Sequence, residues 1–313
     1  MVIYAENLRK NHYSKISGKY AGIGSPRDPN KGISFSCEEG EIFGVIGPDG
    51  AGKSTLFKII ATLIYPDSGI ARVDNLDVVT EYKKIRNIIG YMPGEFSLYM
   101  DLSVEENLTF FATLYGTSIE ENYHLIKDIY SQIEPFKTRK AGQLSGGMKQ
   151  KLALSCALIH KPKVLILDEP TTGVDPLSRK ELWDMLKSLN QSGITILIST
   201  AYMDEAGLCD NIALMKDGEF LAVDTPQNII NSYNENLWRL SADNMISIFN
   251  DAKKYPDIKK CFAFGNEHHF TTRPDFDETD FLIYLQGKNH TNISLNAIEP
   301  NIEDCFMALT SDD

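Results

Sequence analysis

No apolar run in this sequence is long enough to cross a membrane; the longest, 164–167 and 194–198, are the length of strands. Positive charge is short too. Thirty-one Lys and Arg stand against 43 Asp and Glu, a formal charge of −12. That argues against binding nucleic acid, which needs clustered basic residues to neutralise phosphates. Cysteines at 37, 156, 209, 261 and 305 are odd in number and form no CxxC pair, so reduced thiols in a cytosolic protein are expected. The N-terminal MVIYAENLRK lacks the basic-then-apolar order of a signal peptide. Glycosylation-like triplets at Asn289 and Asn292 are therefore expected to stay unused. No internal repeat is visible.

What is present is an ordinary globular composition, 42% hydrophobic and 24% charged over 313 residues, enough for one large α/β domain and a smaller one. Residues 1–10 read as an edge strand. Residues 14–31, rich in Gly, Ser, Pro and Lys, read as a loop or disordered insertion whose Lys15, Lys19, Arg27 and Lys31 solubilise it or touch anionic lipid. Two strands flank a turn at Glu39-Gly40, and 54–65 is apolar at helical spacing. A hairpin-like stretch follows, then a short strand stopped by Pro93. From about 96 to 160 the pattern is helical, with a Ser103–Glu106 capping box. Strands VLILD, ITILIST and IALMKDGEFLAV, with a helix between the first two, imply a parallel sheet.

Past Pro226 the order β-α-β-β-α-β plus a final helix is ferredoxin-like. The expected domains are 1–228 and 229–313. In the second, His268-His269 read as part of a polar strand without further metal ligands nearby. Asp275, Asp277, Glu278 and Asp280 read as a solvated acidic turn.

Gly47, Pro48, Asp49, Gly50, Ala51, Gly52, Lys53 and Ser54 spell G-x-x-x-x-G-K-S between a strand and a helix. Such a loop turns backbone N–H groups onto phosphates, and the helix N-terminus adds its dipole. Lys53 reaches the β- and γ-phosphates, and the Ser54 hydroxyl suits Mg²⁺. The buried strand ending in Asp168 and Glu169 supplies two carboxylates where open α/β sheets bind ligands. Asp168 is expected to hold Mg²⁺ and Glu169 to polarise an attacking water. Leu144-Ser145-Gly146-Gly147 opens a helix and offers a second anion site.

With TTGVDP at 171–176, these motifs in this order resemble the ATP-binding cassette (ABC) family over residues 1–228, and EPNIEDCFMALT resembles the end of cassettes driving ABC-2-type exporters. The resemblance implies a RecA-like P-loop NTPase core with an antiparallel β edge and a helical subdomain at 96–160. It implies ATP and Mg²⁺ as cofactors and an integral-membrane ABC-2-type permease as partner, at the cytoplasmic face of the membrane. Two cassettes, in a homodimer or heterodimer, would sandwich ATP head to tail. Gly47 to Thr55 and Asp168 of one would face Ser145, Gly146 and Gly147 of the other, with Asp175 communicating across. Tyr13 would stack on adenine, with Tyr20 the alternative or both merely packing. Phe96, Leu98 and Tyr99 would line the groove for the permease or pack in the core.

Two positions depart from the family pattern. Gly94, then Glu95, stand where the family's glutamine touches Mg²⁺ or its water and senses the membrane subunit; Gly94 cannot ligate through a side chain, and Glu95 reaches the metal only if the loop bends. Ala201 stands where a histidine normally contacts the γ-phosphate and orients the water; Tyr202 points elsewhere if Ala201 keeps its place, and the nearest histidine, His160, reads as a helix-end residue. ATP binding is expected to survive, and hydrolysis to be slowed. A regulatory subunit paired with an active cassette is the rival expectation. A soluble cassette acting on ribosomes or DNA fits poorly, since the chain is acidic and carries a single cassette.

Overall fold

The computed structural model describes residues 1–13, 20–25, 28 and 31–310. It divides into two compact units, Met1–Pro226 and Gln227–Asp313. In the first, the chain runs β1 (Ile3–Tyr13), β2 (Tyr20–Ile23), β3 (Ile33–Cys37), β4 (Ile42–Ile46), α1 (Lys53–Ile60), β5 (Ser68–Val73), β6 (Leu76–Asp77), α2 (Tyr82–Arg86) and β7 (Ile89–Met92). Helices α3 (Val104–Leu114), α4 (Ile119–Tyr130) and α5 (Gly146–Leu158) follow. Then come β8 (Val164–Asp168), α6 (Pro176–Gln191), β9 (Thr195–Thr200), β10 (Asn211–Lys216) and β11 (Glu219–Asp224), before α7 (Pro226–Asn231).

Two sheets form. The larger has the order β11-β10-β4-β9-β8-β7, parallel throughout except for the β10–β11 hairpin. Its central strands lack the alternation of half-exposed ones, as strands covered on both faces do; β4, β8 and β9 are buried at every residue. The smaller sheet is antiparallel, β2-β1-β5-β6 with β3 also on β1. Helix α1 packs on strands of both sheets. Its Leu56, Phe57, Ile59 and Ile60 are wholly buried, each contributing roughly 1.5–3 kcal/mol of apolar burial.

The N-terminal strand is not an edge. It runs on to Tyr13 and is bonded to β5 on one side and to β3 and then β2 on the other. Nor is 14–31 all loop, since residues 20–23 pair with β1 as β2. Lys15, Lys19 and Arg27 lie outside the described residues; Lys31 is exposed, with Glu219 3.3 Å away. The strands around Glu39-Gly40 part into different sheets rather than forming a hairpin.

Three helices occupy the stretch expected to be helical. Ser103 and Glu106 close a capping box on α3, and Ser118 and Glu121, the same S-x-x-E pattern missed in the sequence, close another on α4. Asn107 of α3 is fully buried. Its side chain accepts from the Tyr99 N–H and donates to the carbonyls of Tyr99, Leu102 and Ser103, fixing the segment before the helix.

The second unit contains β12 (Asn236–Ser241), α8 (Met245–Ala252), β13 (Ile258–Phe264), β14 (Glu267–Thr272), α9 (Glu278–Gly287), β15 (Ser294–Ala297) and α10 (Ile302–Thr310). The sheet order β13-β14-β12-β15, antiparallel at every pairing, is the ferredoxin-like one. His268 and His269 lie in a strand of polar sequence, β14, as expected, but are buried: His268 Nε2 lies 2.7 Å from the Met245 carbonyl, and His269 Nδ1 lies 2.7 Å from Asp304 Oδ1. Asp275, Asp277, Glu278 and Asp280 are exposed, as a solvated turn should be, and Asp277 is in addition the N-cap of α9, accepting from the N–H groups of Thr279 and Asp280. Among the described residues no helix is long and apolar enough to cross a membrane.

Replacing Asn107 with Leu takes the acceptor from the Tyr99 N–H and a second donor from three carbonyls that keep backbone partners, so urea unfolding should show a loss of about 1–3 kcal/mol. His269 supplies a pH dependence. Burial by itself lowers its pKa, but hydrogen bonds to Asp304 and Glu267 outweigh this and raise it above 6.5. Its contribution is therefore complete below about pH 6.5 and lost as pH rises through the folded value. His269→Gln should flatten that part of the stability–pH curve.

Candidate functional site

Register builds the site. Ile46 stands opposite Thr200, Asp168 opposite Ser199 and Met92 opposite Leu167, so β4, β9, β8 and β7 end level. Everything that follows these strands emerges on one side: the loop 47–52, the turn 169–175, Ala201 and Gly94.

The loop closes tightly because glycine is required. A Cβ on Gly47 would sit 2.1 Å from the Met215 carbonyl oxygen. Gly52, at φ +109°, would place a Cβ 2.6 Å from the Gly22 carbonyl oxygen. Gly47 N–H donates to the Thr200 carbonyl at 3.2 Å. Lys53, 3% exposed, turns back over the loop and donates to the carbonyls of Gly47 (2.7 Å) and Pro48 (3.0 Å). Its Nζ also lies 3.0 Å from Glu169 Oε1.

Sequence reading missed the hydroxyl that ties the acids together. Ser199 Oγ donates to Asp168 Oδ1 at 2.7 Å and accepts from the Glu169 N–H at 2.9 Å. Glu169 has φ +50°, a left-handed conformation uncommon for a non-glycine residue. Thr172 Oγ1 donates to Glu169 Oε2 at 3.3 Å, another contact no spacing rule foretold.

The donors fit a nucleotide. Among the described residues, the N–H groups of Gly50, Gly52, Lys53 and Ser54 donate to no backbone carbonyl, leaving four donors beside an ammonium for a chain of phosphates. Asp168 Oδ2 and the Ser54 hydroxyl make no hydrogen bond among the described residues, and two hard oxygens suit Mg²⁺. Gly94 opens onto them: a Cβ there would lie 3.2 Å from the Asp168 carbonyl oxygen and 3.8 Å from Oδ2. Gly94 and Glu95 are both exposed.

Other expected residues lie apart from this cluster. Ser145 is the N-cap of α5, its Oγ accepting from the Met148 N–H at 3.3 Å. Gly146 and Gly147 form the first turn of α5; a Cβ on Gly147 would meet Ser178 Oγ at 3.1 Å, so this helix start packs against α6 of the same chain. Asp175 caps α6. The Ser178 N–H and then its hydroxyl hold the Asp175 carboxyl below the usual range. No hydrogen bond or ion pair joins Ser145, Gly146, Gly147 or Asp175 to the Lys53 cluster among the described residues. Tyr13 and Tyr20 face each other as backbone partners in β1 and β2; their side chains lie outside the described residues.

Of the groove residues, Leu98 is buried, Phe96 half-buried beneath Lys149, and Tyr99 exposed with its ring against Phe110. Tyr202 stacks on the Arg179 guanidinium at 4.5 Å. His160, just past α5, bonds the Ile89 carbonyl and stacks on Tyr115.

The ABC transporter family profile matches residues 30–172. The Linearmycin resistance ATP-binding protein LnrL of Bacillus subtilis (strain 168) is 34% identical over 326 residues, 99% of this chain and 98% of LnrL. Nod factor export ATP-binding protein I of Burkholderia lata is 39% identical over 89% of the chain and 91% of its own length. The probable multidrug ABC transporter ATP-binding protein YbhF of Escherichia coli (strain K12) is 37% identical over 88% of the chain, which spans only 48% of YbhF. Among solved structures, cbiO1 from Clostridium perfringens, part of the ABC transporter complex cbiONQ, has a TM-score of 0.61 and 30% identity over 74% of this chain and 91% of its own. The dimeric post-hydrolysis cassette MJ0796, bound to ADP and Pi, has a TM-score of 0.62 and 27% identity over 71% of this chain and 98% of its own. With a relative alike over nearly its full length and a cassette fold around the phosphate loop, the chain belongs to the ABC transporter family, among its ATP-binding subunits.

Proposed function

We propose that this chain binds Mg-ATP and hydrolyses it to energise an ABC-2-type exporter through a separate membrane permease. The observation that carries the reading is the convergence of Lys53, Glu169, Asp168 and Ser199 below the loop of unpaired amides. Gly47 to Thr55 would wrap the phosphates, with Lys53 on the β- and γ-phosphates. Ser54 and Asp168 would hold Mg²⁺, which would neutralise charge on the phosphate oxygens. Glu169 would take the proton of the attacking water. Tyr13 would stack on adenine. Ser145, Gly146 and Gly147 of a second cassette would close over the nucleotide, with Asp175 at the shared boundary. Exposed Tyr99 and half-buried Phe96 would meet the permease at the cytoplasmic face, while Leu98 supports them from the core. The multidrug, linearmycin-resistance and Nod-factor-export names of the relatives favour export.

A second reading, a slow or regulatory site beside a faster partner cassette, is favoured by Gly94 and Ala201. Gly94 borders Asp168 Oδ2 with no side chain to reach a metal, and Ala201 has no polar atom for the γ-phosphate.

Steady-state ATP hydrolysis by the purified chain separates the two. Under the first reading Glu169→Gln abolishes turnover, and Ala201→His raises it severalfold at most. Under the second the wild-type chain scarcely turns over and Ala201→His raises the rate by roughly a hundredfold, about 3 kcal/mol of transition-state contact. Failure to co-purify with any membrane subunit would count against both. Ser199→Ala should weaken Mg²⁺-dependent ATP binding about tenfold, read by titrating a fluorescent ATP analogue with and without Mg²⁺, because Asp168 loses its orienting donor.

A further inference from the structure

Both carboxylate oxygens of Glu169 are held, by groups of different kinds. Oε1 lies 3.0 Å from Lys53 Nζ, and Oε2 accepts from Thr172 Oγ1 at 3.3 Å. The backbone is pinned as well. The Glu169 N–H donates to Ser199 Oγ at 2.9 Å, and its carbonyl accepts from the Thr172 N–H at 3.2 Å. A left-handed φ of +50° is sustained by these flanking bonds, so the turn sets the direction in which the side chain leaves the backbone.

Lys53 cannot serve Glu169 and a nucleotide equally. An ammonium has three N–H donors. The Gly47 and Pro48 carbonyls and Glu169 Oε1 already take them. Phosphate oxygens compete for the same charge. When they draw it away, Glu169 keeps one side-chain partner among the described residues, the Thr172 hydroxyl. Ala201 offers none.

We propose that Thr172 is the positioning residue for Glu169 in ATP hydrolysis, doing from the turn after β8 what the side chain at 201 cannot do from the turn after β9. This rests on the reading of Glu169 as the base. With Oε2 tied to Thr172, Oε1 faces the water. The water oxygen bonds to the γ-phosphorus and its proton passes to Oε1. The bond from γ-phosphorus to the β–γ bridging oxygen breaks, its electron pair leaving on ADP.

The turn that carries Thr172 is itself anchored. Thr171, fully buried, donates from Oγ1 to Glu205 Oε2 at 3.1 Å. Glu205 Oε1 lies 3.8 Å from Arg179, whose guanidinium stacks on Tyr202 and stands 3.6 Å from Asp204. The turn after β8 is thereby fastened to the loop after β9, so Thr172 has a fixed base from which to aim Glu169.

The test is steady-state ATPase of the full chain as Thr172→Val, Thr172→Ser and Thr172→Val with Ala201→His, beside wild type and Glu169→Gln. Thr172→Val should lower kcat about tenfold or more with KM within about twofold. Serine should restore kcat, and Ala201→His should recover much of the rate in the valine background. An unchanged kcat, a parallel change in kcat and KM, or no rescue by serine overturns the proposal. If Glu169→Gln leaves wild-type turnover intact, the reading of the base fails separately. Thr172 is then judged by the Glu169 side-chain carboxyl-carbon chemical shift at one neutral pH, where no change in Thr172→Val overturns the contact and a change that serine reverses supports it.

Discussion

A buried ammonium must be answered by oxygen. Lys53 is almost wholly withdrawn from water, and leaving that charge unpaired would cost several kcal/mol. Its partners come from two places in the chain: the Gly47 and Pro48 carbonyls of the loop after β4, and Glu169 just after β8. One charge thus holds the phosphate loop against the acidic end of another strand. Between β4 and β8 lies β9, and its last residues fill the gap with polar atoms of the right size. The Thr200 carbonyl takes the Gly47 N–H, and the Ser199 hydroxyl joins Asp168 to Glu169. The parallel register puts these atoms level, so the site follows from strand pairing plus one desolvated cation.

The two halves of the site are built unequally. The half that grips phosphate has its glycines, its ammonium and its unpaired amides. The half that would orient water has no polar side chain at 94 or 201, and short hydroxyls stand nearby instead. Thr172 and Ser199 are small, and each is bonded to an acid: Thr172 to Glu169, Ser199 to Asp168. A site of this kind depends on the rigidity of its turns more than on the reach of its side chains, which is why the Thr171–Glu205 bond and the Arg179–Tyr202 stack belong to the same piece of construction.

Local chemistry was legible in the sequence, and adjacency was not. The G-x-x-x-x-G-K-S loop, the buried strand ahead of Asp168 and the Ser103–Glu106 box declare themselves because each is specified by neighbours a few residues apart. The interior position of β1 is not, since a strand bonded on two sides reads like one bonded on one when the second partner arrives tens of residues later. Ser199 sits in an apolar strand where its hydroxyl has meaning only once β8 is alongside. His268 and His269 are polar in sequence yet buried, because consecutive residues of β14 are covered on both faces. The Ser118–Glu121 box carried the same signature as its neighbour and was open to reading. Tyr13 remains an expectation from resemblance, with only its backbone pairing described.

The order of strands in the parallel sheet also bears on how the protein is made. Strand β4 leaves the ribosome well before both its partners: β9 pairs Ile196 with Ile42, and β10 pairs Asn211 with Phe43. At roughly 5–20 residues per second, about 7–30 seconds of translation separate the phosphate loop from the strands that hold it in place. Until β8 and its turn emerge Lys53 has no Glu169, and until β9 is complete the Gly47 N–H has no Thr200 carbonyl. The helices opened by Ser103 and Ser118 have no such wait, because each carries its own cap. Nascent chains stalled between residues 130 and 190 should therefore hold helix without a nucleotide site, and the apolar β4 and α1 would need shelter until synthesis passes residue 216.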